Sequence, residues 1–181
     1  ALNFRLVRDD KNLPQFPPAG SRYVLDVQVA DGALGSDFEF IKTELTVKWW
    51  FPLFRDRLTI ALTNQYGVIF GDQLQYRTLY TMGGAYGYEG MMRGYSSGSL
   101  GYRRLGRSYQ YVGAELQLGL VPQTFYLLPF FFDAGNVFGE RYNPKTVVPK
   151  PSRSPLSEWD PTSLKKDIGF GFRVVVPMLG I

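Results

Sequence analysis

Apolar residues alternate with polar residues or glycine along most of the chain, and the alternation is clearest over residues 38–54. Ile41, Leu45, Val47, Trp49, Phe51 and Leu53 fall on one side of a period of two, and Lys42, Glu44, Thr46 and Lys48 on the other. Successive side chains of a strand point to opposite faces, so this pattern predicts a strand with one apolar and one mixed face. Residues 57–71 repeat it, with Leu58, Ile60, Leu62, Tyr66, Val68 and Phe70 opposite Thr59, Ala61, Thr63, Gln65 and Gly67. Further strands are predicted at 2–9, 21–31, 109–120, 124–138 and 167–176, seven in all. In the sixth, Tyr126, Leu128, Phe130, Phe132 and Ala134 are expected on the apolar face, against Phe131, Asp133 and Gly135. The segment 38–54 is also long, since a strand of a globular protein has a mode of about 5–6 residues.

The connections add a second pattern. A Pro-rich turn, Lys11 to Gly20, follows the first strand, and a small loop, Ala33 to Asp37, follows the second. From the third strand onward, tight turns alternate with long loops. The turns lie at Phe54-Arg55-Asp56-Arg57 and Pro122-Gln123, and the loops at about 72–107 and 139–166. Outer-membrane barrels have short periplasmic turns and long extracellular loops, which would put the periplasmic ends near Pro52, Pro122 and Pro177. The fold class expected is therefore all-β, an antiparallel transmembrane β-barrel, with residues 1–181 as one partial barrel domain. A soluble β-sandwich or a lipocalin-like barrel would show the same alternation, with its apolar face turned inward instead of outward.

Composition narrows the choice. Mean hydropathy is −0.14, and no run of about 20 apolar residues offers a transmembrane helix; a barrel strand needs only about 9–11 residues, half of which can be polar. Aromatic residues make up 16% of the chain, with Phe 14 and Tyr 12, a heavy aromatic load. Cysteine and histidine are both absent. That removes disulfides, thiolate metal sites and His-dependent triads, so no metal, no cofactor and no enzymatic activity are expected. The net charge of +4 comes from scattered residues, which argues against a nucleic-acid partner. Ala1-Leu2-Asn3-Phe4-Arg5 starts inside a strand pattern with no signal peptide before it, so the chain reads as an excerpt of a longer precursor. Seven strands alone would leave two raw edges in lipid, so further strands of the same barrel, or another chain, are expected beside them.

The first long loop is rich in glycine and aromatic residues instead of charge: Met82-Gly83-Gly84-Ala85-Tyr86-Gly87-Tyr88-Glu89-Gly90-Met91-Met92-Arg93-Gly94-Tyr95. A loop of this length is usually functional or disordered, and this composition favours an ordered loop packed against something. Arg93, if it enters a barrel interior, needs anionic partners. Glu115 and Asp133 lie on the mixed faces of the fifth and sixth strands, which should pair as a hairpin, so both carboxylates are expected within reach of it. Arg173 is expected to face the lumen from the seventh strand.

Several motifs carry a family resemblance. Gly83-Gly84 followed by Met92-Arg93-Gly94-Tyr95 is similar to the GG…(V/I)RG(F/Y) motif of BamA-type outer-membrane assembly proteins. Phe131-Phe132-Asp133-Ala134-Gly135-Asn136-Val137-Phe138 resembles the family's F-x-D-x-G-x-V-(W/F) strand. Gly169-Phe170-Gly171-Phe172-Arg173 with Pro177-Met178-Leu179-Gly180 looks like its G-x-G-x-R…P-x-G strand end. Arg8-Asp9-Asp10 with Pro18-Ala19-Gly20-Ser21 is similar to its RD…P…G-S/T turn. Met92 departs from the family's Val or Ile, and Met178 from its commoner Leu.

The resemblance implies a position and a function. The strands would be the eighth to fourteenth of a sixteen-strand barrel in the bacterial outer membrane, with periplasmic POTRA domains upstream. The loop at about 72–107 would fold into the lumen, pinned there by Arg93 against Glu115 and Asp133. The implied function is non-enzymatic: folding and inserting other barrel proteins. Outer-membrane lipids, unfolded outer-membrane proteins, periplasmic accessory lipoproteins and the remaining strands of the barrel are the implied partners. A two-partner-secretion or autotransporter-assembly barrel, or the barrel of a patatin-like lipase fusion, would share this loop. A porin would not need it, and an outer-membrane protease or phospholipase usually needs the histidine that the chain lacks. Upstream POTRA repeats, a lipase motif or a bare signal peptide would separate these readings.

Overall fold

The computed structural model describes residues 1–12, 17–54, 57–74, 78–84, 92–100, 106–121, 125–140 and 153–174. Its seven strands are β1 (Leu2–Asp9), β2 (Gly20–Ala30), β3 (Glu39–Phe54), β4 (Leu58–Gln73), β5 (Ser108–Val121), β6 (Phe125–Phe138) and β7 (Lys165–Val174). They form one antiparallel meander in the order β1-β2-β3-β4-β5-β6-β7, with β1 and β7 at its edges. At about 3.3 Å per residue, the 16-residue β3 and β4 are each about 50 Å long, enough to cross a tilted bilayer core and project beyond it. The expected turn at Pro122-Gln123, the end at Pro177-Met178-Leu179-Gly180 and the loop residues 85–91 lie outside the described residues.

Registers show why the two faces differ. Leu58, Ile60 and Leu62 on β4 pair with Leu118, Leu116 and Ala114 on β5. The large side chains of this outer face, among them Phe4, Leu45, Phe51, Phe130, Ile168 and Phe170, are exposed. The intervening positions form an inner face where polar groups are covered: Thr59, Gln65, Gln117 and Asp133 are buried. Aromatic rings lie flat over glycines of this face, Tyr109 over Gly67, Tyr111 over Gly113 and Phe131 over Gly169. Those glycines give the rings room to lie against the backbone.

The face assignment fails at one place. Tyr126 and Leu128 are not on the outer face with Phe130; they are buried inside, at 8% and 4% exposed, whereas Phe130 is 49% exposed. Leu116 pairs with Phe130 but Leu118 with Leu127, and β7 shows the same slip between Leu128 and Phe131. One extra residue on β6 makes a β-bulge and inverts the alternation below it. Pro129, which has no N–H to give to a ladder, sits at the slip.

The core lies at one end of the inner face. Ala30, Phe40, Ile69, Tyr111 and Val137 from the strands pack with Leu74, Tyr80, Met82, Met92 and Leu100 from the β4–β5 connection. That connection is a folded unit. Met82 and Leu100 exchange backbone hydrogen bonds of 2.8 and 2.9 Å, and Gly84 N–H donates to the Met92 carbonyl at 3.1 Å. Gly83 and Gly84 have φ of 118° and 116°, a region that side chains with a Cβ rarely adopt, and the missing Cβ of Gly83 faces the Ser96 carbonyl. The second long connection crosses the other face, where Pro155 is buried and Trp159 meets Tyr66 edge-on.

Candidate functional site

The folded loop delivers Arg93 to the inner face, onto the adjacent strands β5 and β6. Its Nε donates to Asp133 Oδ2 at 2.7 Å and its Nη2 to Asp133 Oδ1 at 2.6 Å, a two-pronged contact with β6. Nη1 donates to Glu115 Oε1 on β5 at 2.7 Å. The guanidinium plane sits 3.7 Å from the centre of the Phe131 ring, adding a cation–π contact. Two residues apart on one strand, Phe131 and Asp133 share a face, so one strand supplies both the ring beneath the cation and the fork that clamps it.

Burial sets the stakes. The side chain of Asp133 is fully covered, and those of Arg93 and Glu115 are 18% and 17% exposed. Desolvation works against the charge on Arg93, but its hydrogen bonds to Asp133 and the charges of Glu115 and Asp133 overcome it, so the guanidinium is held more firmly protonated than in water. A charged group this covered is stable only if every polar atom around it is matched.

The matching extends past the residues expected from sequence. Tyr111 Oη donates to Asp133 Oδ1 at 2.7 Å. Gln117 Nε2 donates to Glu115 Oε2 at 2.8 Å. Arg173, expected only to face the lumen, donates from Nη2 to Glu115 Oε1 at 3.1 Å and from Nη1 to Oε2 at 3.3 Å. On β7, Asp167 stands opposite Asp133 and accepts the Gly94 N–H at 3.0 Å. Tyr95 Oη reaches the Lys166 carbonyl at 3.4 Å. Arg93, Gly94 and Tyr95 are thus held by β5, β6 and β7 together. The alternation already put Tyr111 and Gln117 on the face of Glu115, and this parity was the signal for both. Asp167 shares the parity of Arg173, but only the register of β7 against β6 sets it beside Gly94.

Close packing explains the glycines. A Cβ on Gly94 would come within 2.9 Å of Asp167 Cβ, and one on Gly135 within 2.9 Å of Met82 Sδ and 3.2 Å of Met92 Sδ. Gly135 therefore forms the floor on which the loop's methionines rest. Among the described residues no group of three or more carboxylates could hold a metal ion. What the arrangement can do is hold one loop in one place.

An antiparallel meander with an apolar outer face, a charged inner face and a long loop docked inward defines a segment of a membrane-spanning β-barrel. The Omp85 superfamily domain model matches residues 1–180, and the chain belongs to that superfamily. Its fold is similar to the crystal structure of BamA from Haemophilus ducreyi lacking POTRA domains 1-3, with a TM-score of 0.65 and 19% sequence identity. That match covers 76% of this chain and 29% of the BamA chain, so the segment corresponds to under a third of the structure it resembles. Among curated proteins none matches.

Proposed function

We propose that the chain forms part of an outer-membrane barrel that folds and inserts other barrel proteins. The observation that carries this reading is the docking of Arg93-Gly94-Tyr95 on β5, β6 and β7. A machine that handles unfolded strands needs a barrel wall of defined shape, and a loop fixed to three strands at once braces that wall. Unfolded outer-membrane proteins are the substrates on this reading, outer-membrane lipids the solvent, and periplasmic lipoproteins the accessory partners. The remaining strands of the same barrel pair with β1 and β7. Strand templating at a sheet edge would supply the driving hydrogen bonds.

The test is complementation. Cells depleted of the full-length protein are supplied with wild type or with Arg93→Ala, and folded barrel proteins in the outer membrane are quantified. Insertion predicts a general loss of folded barrel proteins with the variant. Loss of a single secreted protein, with other barrels unchanged, would instead assign the chain to a secretion barrel and sink the proposal.

A further inference from the structure

We propose that residues 153–163, in the connection between β6 and β7, form a strap that anchors the barrel in the interfacial lipid of the outer leaflet. The strap lies on the outer face. It meets outward positions at the loop end of the sheet: Pro155 is buried over Ser108, Trp159 meets Tyr66 edge-on at 6.2 Å between ring centres, and Ser163 lies against Asn136. Tyr66 pairs with Gln110, and Gln110 with Asn136, so the strap crosses a row of outward side chains with polar tips near the loop end of the sheet. Aromatic girdles sit at this level in membrane barrels. Tyr66 supplies one ring of it, and Trp159 is brought to the same level by a loop.

The strap turns backbone carbonyls toward protein and leaves Leu156 and Trp159 outward beside the charged Arg153 and Asp160. Its carbonyls at Arg153, Pro155 and Ser163 accept hydrogen bonds from Arg107, Ser108 and Asn136 at 2.6, 3.4 and 2.9 Å. Asp160 caps a single turn at Pro161–Ser163 through the Thr162 N–H at 2.9 Å. These carbonyls are matched by protein, while Arg153 and Asp160 are exposed and Glu158 is half-buried, so the strap suits the polar headgroup boundary and not the hydrocarbon core. Leu156 and Trp159 remain 53% and 39% exposed. They add apolar surface at the loop end of the outer face, and an indole with an apolar body and one N–H suits the headgroup boundary. The partner is thus a lipid surface.

The inference rests on the outer face being the lipid face, and the test separates the two. The described sequence contains no cysteine, so nitroxides can be placed by Leu156→Cys, Ile168→Cys and Ser157→Cys in the full-length protein reconstituted in phosphatidylcholine vesicles. The readout is collision with dissolved oxygen, which partitions into lipid, relative to a water-soluble nickel chelate. The expected result is that position 156 shifts to the oxygen-rich side with 168, while 157 stays with the chelate. If 156 behaves like 157 while 168 reads as lipid, the strap is aqueous and the inference fails. If 168 is also aqueous, the membrane orientation itself fails. Trp159→Cys gives an independent position should Leu156→Cys not assemble.

Discussion

Arg93 and Asp133 meet through two parallel hydrogen bonds of 2.7 and 2.6 Å, and Asp133 is entirely shielded from solvent. The residues are 40 apart in sequence, so this one contact fixes the end of a long loop to a barrel wall. Removing one partner of a buried ion pair typically costs about 3–5 kcal/mol, and less where water can enter. Arg93→Ala should therefore release the loop at residues 92–100 while leaving strand pairing intact. Limited proteolysis of the full-length protein checks this, with faster cleavage in the loop and unchanged strand fragments expected. Arg93→Lys should resemble Arg93→Ala, because an ammonium cannot reproduce the fork.

The two carboxylates should differ. Glu115 has Arg173 and Gln117 as well as Arg93, so Glu115→Gln leaves a partly satisfied cluster. Asp133 receives both prongs of Arg93 and the hydroxyl of Tyr111. Asp133→Asn should thus loosen the loop more than Glu115→Gln, and Tyr111→Phe should cost about 1.5–3 kcal/mol, the scale of one hydrogen bond to a charged group. Rates of loop proteolysis across the three variants give the ranking.

Gly135 and Gly171 both occupy inner-face positions, but their surroundings differ. A Cβ at Gly135 meets the Met82 and Met92 sulfurs, whereas one at Gly171 meets nothing within 4 Å. Gly135→Ala should weaken loop docking, with an overpacking cost of about 1–3 kcal/mol, and Gly171→Ala should be silent. Heat stability of the folded barrel on a semi-native gel would show the difference.

The bulge at Pro129 predicts an inverted pattern of lipid contact. Leu127 and Phe130 face outward while Leu128 faces inward. A lipid-borne photoreactive probe should label cysteines at 127 and 130 and spare 128. Phe130→Arg should cost up to about 2–4 kcal/mol if it lies near the bilayer midplane.

Alternation and loop spacing made the seven strands and their order legible, because a period of two is a local property. The bulge was not legible: Tyr126, Leu128 and Phe130 continue an apolar alternation in sequence, and only cross-strand register shows that the parity inverts between them. The Arg93 cluster was readable in part. Glu115 and Asp133 followed from charge need and parity. Arg173 and Asp167 acquired their partners from how β7 slides against β6, a property of pairing that no single strand encodes. Trp159 gave no periodic signal at all, since its neighbour Tyr66 lies two strands and one long loop away.

The central claim, that Arg93 and Asp133 act as one clamp required for assembly, is tested most directly by a double-mutant cycle. Arg93→Ala, Asp133→Ala and the double variant are compared for loop proteolysis and for folded barrel proteins in depleted cells. A shared clamp predicts that each single variant causes most of the loss and the double variant adds little. Additive losses, or a wild-type level of folded barrel proteins with Arg93→Ala, would contradict it.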